Sequence, residues 1–166
     1  GQHVPGDYQL YEAGVQFDTS SIPDDEVASA VTLSLYGTVD LTDTNFTAET
    51  RVYDWGTGLT AGDWVAGASL GALTRVATHA SSGFATGAYN DFSEDGSNFR
   101  SAINVTGATR LILVSDRLVA GTAPTNNELW IFSTADETGT TQDPKLVVTH
   151  AAASVPFRRS LLGVGF

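Results

Sequence analysis

The chain has 166 residues, 42% hydrophobic and 16% charged, which provides enough apolar surface for one packed domain and excludes a disordered acidic segment. Its 19 acids against 8 bases leave a net charge of −11, a surface that repels phosphate and speaks against nucleic-acid binding. There is no Cys, so disulfides, thiol nucleophiles and thiolate metal sites are excluded, and no run of about eighteen apolar residues is available to cross a membrane.

Taken in chain order, the periodicity predicts strands. Residues 10–17 place Ala13, Val15 and Phe17 on one face, and residues 27–37 alternate Val31, Leu33 and Leu35 with Thr32, Ser34 and Tyr36. Residues 47–54 follow, then a single helical turn over 60–65 with Thr60 as its cap. Strands are predicted over 73–78 and 88–92, and a second short helical stretch over 98–103. Residues 110–115 read R-L-I-L-V-S, apolar on both faces, which predicts a central strand covered on both sides. Residues 128–133 and 145–150 complete the set. The intervals are rich in Gly, Asn, Asp, Ser and Thr, residues that make turns. Eight short strands with turn signals between them predict an all-β fold, an antiparallel β-sandwich of jelly-roll type spanning residues 1–150.

Residues 151–166 differ in kind. A small-residue linker leads into V-P-F-R-R-S-L-L-G-V-G-F, which holds two bases and no acid. An end that carries Phe157, Leu161, Leu162, Val164 and Phe166 beside Arg158 and Arg159 reads as a partner-docking tail, the plainer alternative being a frayed terminus.

Candidate chemistry is sparse. The histidines, His3, His79 and His150, are too dispersed for zinc. His79 lies near Ser81 and Ser82, but T-H-A-S-S-G reads as a strand entering a turn and no G-x-S-x-G elbow is present. No enzyme is expected. Calcium takes oxygen ligands from loops, which leaves a structural calcium as the one cofactor open, with Asp40 and Asp43, or Asp136 and Glu137, as its nearest ligands. Sugar rings stack on exposed aromatics. Trp55 and Trp64 flank a loop, with Tyr53 beside them, and are the stacking candidates, whereas Trp130 in L-W-I-F is predicted core.

Several stretches carry a resemblance. GVQFDTSSIP at 14–23, AVTLSLY at 30–36, VYDW at 52–55, DW at 63–64, IFSTAD at 131–136 and TQDPKLVVTH at 141–150 together resemble modules of the DNRLRE type, β-sandwiches akin to carbohydrate-binding modules. Within that family, residues 109–128 and 138–143 resemble phage- or prophage-encoded virion proteins more than secreted modules. The resemblance implies a non-enzymatic structural virion protein, a capsid or tail decoration or adhesion domain at the virion surface. Its partners would be further copies of itself or other virion proteins, with a host-surface glycan as a further ligand and no membrane insertion. The alternatives are a carbohydrate-binding module of a secreted bacterial protein and an extracellular fibre subunit. Family members carry at least one further strand ahead of the segment matching Gln9. Either that strand is removed here or something else supplies it, and a neighbouring subunit's apolar tail would do so by strand addition. An acidic glycan would need free bases, and only Arg51, Arg75, Arg100, Arg110, Arg117 and Lys145 are available in the domain.

Overall fold

The structure, a computed structural model, describes residues 2–4, 7–135, 139 and 141–153. Two short strands, β1 (Gln2–Val4) and β2 (Asp7–Gln9), form a hairpin of their own, which the sequence periodicity did not predict. Eight strands follow: β3 (Ala13–Asp18), β4 (Glu26–Asp40), β5 (Thr47–Val52), β6 (Arg75–Ala80), β7 (Tyr89–Glu94), β8 (Ala108–Ser115), β9 (Trp130–Phe132) and β10 (Lys145–Ala152). They pair antiparallel along the path β10-β4-β7-β6-β5-β8-β3, and β9 pairs with the far end of β4.

This path bends on itself. β6 and β7 share only two residue pairs, Ala77 with Glu94 and Thr78 with Ser93, so the sheet folds at that corner. The layer β10-β4-β7 then faces the layer β6-β5-β8-β3 across one core, the antiparallel sandwich predicted from the alternation. Val31, Leu33 and Leu35 of β4 and Phe92 of β7 meet Ala48, Val76, Leu111 and Leu113 from the opposite layer, with Phe99 and Trp130 filling the ends. The period of two puts Leu33 and Leu35 in the core while Thr32 and Tyr36 lie toward the partly exposed face. β4 does not stop at Gly37 but continues to Asp40 across a register shift. Glycine suits that point because a Cβ there would lie 2.5 Å from the Ala85 carbonyl oxygen.

Three short helices decorate the sandwich: α1 (Gly67–Ala72), α2 (Asn98–Ala102) and α3 (Asp116–Val119). α2 is the stretch predicted over 98–103, and a 3-10 turn at Ala61–Asp63 is the one predicted behind Thr60. α1 and α3 were not predicted. Both lie over the outer face of β5 and β8, where Leu70, Leu118 and Val65 pack on Ile112 and Val114 in a second, smaller core. β8 is therefore buried on both faces as R-L-I-L-V-S suggested, but its place is one strand in from the edge, beside β3, and not central. Helices, not sheet neighbours, provide the second cover.

The turn chemistry follows the sequence. The Asp18 carboxylate accepts from the Ser20 amide at 3.0 Å and the Ser20 hydroxyl at 2.7 Å. Those two donors hold its pKa below the ordinary carboxylate range. Pro23 closes the loop, its carbonyl accepting from the Glu26 amide where β4 starts, and Pro144 stands just before β10, where no ladder donor is lost.

Candidate functional site

Among the described residues β3 pairs only with β8, and β10 pairs only with β4. Each therefore keeps one edge unpaired among the described residues, and beside β3, facing β9, lies a trough of about 430 Å³. One wall is β3 itself, with Val15 and Phe17 half-buried against the core. Leu35 and Leu113 form the floor. The opposite wall is β9 followed by Asp143 and Pro144 at the head of β10.

The β9 wall is rigid because it is aromatic. Trp130 stacks on Phe84 with centroids 4.6 Å apart and planes at 14°, meets Phe46 at 4.8 Å, and packs edge-on to Phe132 and to His79. Trp130 is core, as L-W-I-F predicted. His79 is structural too: its Nδ1 lies 2.9 Å from the Asp91 carbonyl, and its ring packs on Phe92. Ser81 takes a different role, accepting from the Phe46 amide at 2.9 Å. His150 pairs with Glu26, and His3 lies on β1.

A second surface surrounds the tryptophan loop, and the three stacking candidates separate there. Tyr53 is half-buried in the smaller core, with the Trp55 ring 6.5 Å away. Trp55 in turn closes over Gly14 of β3, where a Cβ would sit 3.1 Å from its ring. Both pin the loop to the sandwich. Trp64 alone is presented, 47% exposed. The preceding residues aim it: Thr60 Oγ1 accepts from the Gly62 amide, and the Asp63 carboxylate accepts from the Thr60 amide at 2.8 Å, a reciprocal cap that fixes the turn. Trp64 borders a recess of about 240 Å³ shared with Leu59, Asp63, Gly14, Ile112 and Glu12.

Glu12, in that recess, has a raised pKa. Desolvation by burial pushes it up, and the Val65 amide, donating to Oε2 at 3.1 Å, opposes the shift. Its Oε1 has no hydrogen-bond partner among the described residues. A carboxyl whose folded pKa exceeds its unfolded value costs stability while ionised. That cost is full above the folded pKa and disappears as the pH falls through it. Glu12→Gln keeps the acceptor for Val65 and removes the charge. The variant should therefore melt above the parent at neutral pH, and the gap should close toward about pH 4, near the ordinary glutamate range. Thermal melts of both proteins across that pH series check this, and a gap independent of pH would refute it.

The bases of the domain are already engaged. Arg51 and Arg75 pair with Glu49, Arg75 also with Asp95, Arg100 with Glu94, Arg110 with Asp54 and Arg117 with Glu128, while Lys145 stands 3.7 Å over the Tyr89 ring. They are spread over separate elements and form no basic patch among the described residues. Of the calcium candidates, Asp40 accepts from the Thr42 amide at 2.9 Å, and the Asp43 backbone pairs with Asn127. The described residues contain no group of three or more His, Asp or Glu side chains set to hold a metal. Asp136 and Glu137 lie outside the described residues, as do Phe157, Arg158, Arg159, Leu161, Leu162, Val164 and Phe166.

The trough was not predictable from any local motif. Its walls come from strands far apart in the chain, and the only advance signal was that β3 and β10 are amphipathic at the two ends of the domain. Compared with family models, curated proteins and solved structures, the chain matches none.

Proposed function

We propose that this chain is a non-enzymatic structural domain of a virion, a capsid or tail decoration or adhesion subunit, which assembles through its C-terminal tail. The resemblance to virion-associated DNRLRE-type modules suggests the setting. One observation carries the mode of action: β3, whose outer edge is unpaired among the described residues, borders an apolar trough, an arrangement that takes an added β-strand. An unpaired edge strand is an aggregation hazard unless something covers it, which favours a protein that works with a partner seated there. An extracellular fibre subunit would use the same device.

Light scattering after size exclusion tests the reading. The full chain is expected to run as a defined oligomer, and a chain ending at Ala153, just beyond β10, as a monomer. If both run as monomers, the assembly reading falls. The second reading, a neutral-glycan module of a secreted protein, rests on the exposed Trp64 ring beside the Glu12 and Asp63 carboxylates. On a glycan array it would show as binding abolished by Trp64→Ala. Trp55→Ala, by contrast, should lower thermal stability, because that ring packs on Gly14.

A further inference from the structure

Residues 13–17 of β3 all line the trough, those of both faces together, and Trp130, Ile131 and Phe132 of β9 do the same on the far wall. Side chains of one strand alternate between faces, so a cavity lined by neighbours of both parities runs along a backbone edge and not over a face. In β3 it is the edge that β8 leaves unpaired among the described residues. We infer that the strand added there comes from a partner protein and alternates apolar side chains, turned into the trough, with bases, turned to the outer face beside Glu12 and Asp63. The inference rests on the strand-addition reading above and names the chemistry of the strand it takes.

The two faces of β3 differ in what they offer a neighbour. On the inner face Val15 and Phe17 pack toward the core, and the trough beyond them is bounded by Leu35, Leu113, Trp130 and Phe132. A strand added at the usual spacing of about 4.8 Å would bury every second side chain there. An acid in that position would be desolvated beside Asp143, the one charged residue among those that line the trough, so apolar side chains fit.

The outer face is acidic. Gly14 and its ladder partner Ile112 line the recess that Glu12, Asp63 and Trp64 border, and no base is among the residues lining it. Glu12 Oε2 accepts from the Val65 amide, and its Oε1 has no hydrogen-bond partner among the described residues. Asp63 Oδ2 accepts from the Thr60 amide and hydroxyl at 2.8 and 2.9 Å, donors that carry no charge. The bases of the domain are engaged with other acids or with Tyr89, so neither carboxylate has a cationic partner among the described residues. A base on the added strand, one strand-spacing away, supplies that charge, and the half-exposed Trp64 ring is a second partner for a cation. The same carboxylates, on a chain of net charge −11, reject an acidic strand.

The probe is a capped peptide, S-V-R-V-R-V-S, which reads the same from either end and so serves for both directions of an added strand. Calorimetric titration into the full chain is expected to show binding that weakens about tenfold in S-V-Q-V-Q-V-S and is lost in S-V-R-P-R-V-S, where Pro removes the central ladder donor. Glu12→Gln should close most of the gap between the Arg and Gln peptides. Asp24→Asn removes the same charge from the exposed loop between β3 and β4 and should leave the gap whole, which separates the recess from the general pull of an acidic protein. Equal affinities for the Arg and Gln peptides, or a gap that Glu12→Gln leaves intact, overturn the inference while strand addition stands. A Pro peptide that binds as tightly as the parent, or no binding by any of these peptides, overturns strand addition as well.

Discussion

Glu49→Ala should lower the unfolding free energy by about 3–5 kcal/mol, the loss that follows when one partner of a buried ion pair is deleted. Glu49 is 5% exposed and Arg51 7%, two residues apart on β5 and both turned toward α1. The Arg51 guanidinium donates to Glu49 Oε2 from Nε at 2.9 Å and from Nη2 at 2.6 Å. Its Nη1 reaches the Leu70 and Leu73 carbonyls at 3.1 and 2.7 Å, ending α1 with a charged donor where the helix leaves carbonyls unpaired. Arg75 adds a contact to Glu49 Oε1 at 3.1 Å. Without the carboxylate, Arg51 stays buried with its charge uncompensated, and α1 loses its fixed anchor. Glu49→Leu/Arg51→Met removes both charges and should cost less than Glu49→Leu alone. Urea unfolding of the four proteins measures this, and a single variant within about 1 kcal/mol of the parent would overturn the argument. The Arg110–Asp54 pair is the contrast: Asp54 is exposed and the pair screened by salt, so Asp54→Ala should change little.

The second large effect is expected at Phe99, which α2 inserts into the main core with no exposed surface. Phe99→Ala should cost about 3–5 kcal/mol, combining lost transfer energy with the cavity left behind. α2 is five residues long and its N-terminal Ser97 makes no side-chain cap, so the helix has little stability of its own. It is held by packing against β4 and β6. Loss of the ring should therefore release the helix as well, seen as faster amide exchange at Arg100 and Ser101 beyond the global drop in melting temperature. Phe99→Leu should recover much of the loss. Unchanged exchange in α2 with a lowered melting temperature would show that the helix holds by other means.

These two sites also mark how far local pattern reaches. The eight strands of the sandwich are visible in the sequence because alternation of apolar and polar side chains reports a sheet with one buried face. Phe99 was legible as part of a short helix, but nothing local shows that its ring closes the end of the core. Glu49 and Arg51 read as ordinary polar positions of an exposed strand face. They are buried because α1, a Gly- and Ala-rich stretch without helical periodicity, folds over them. The stacking candidates Tyr53, Trp55 and Trp64 look alike in sequence, and Gly14, 41 residues before Trp55, is what seats that ring, while Trp64 is exposed.

The sequence by itself determined the all-β class, the antiparallel strand set, the capped turn at Thr60 and the core role of Trp130, each written in residues close together along the chain. Only the tertiary structure decided that β8 lies beside an edge, that helices cover its outer face, and that β3 and β9 face one another across the trough. Those features depend on which strands pair across long separations, and pairing order is set by the closure of the whole core rather than by any one segment.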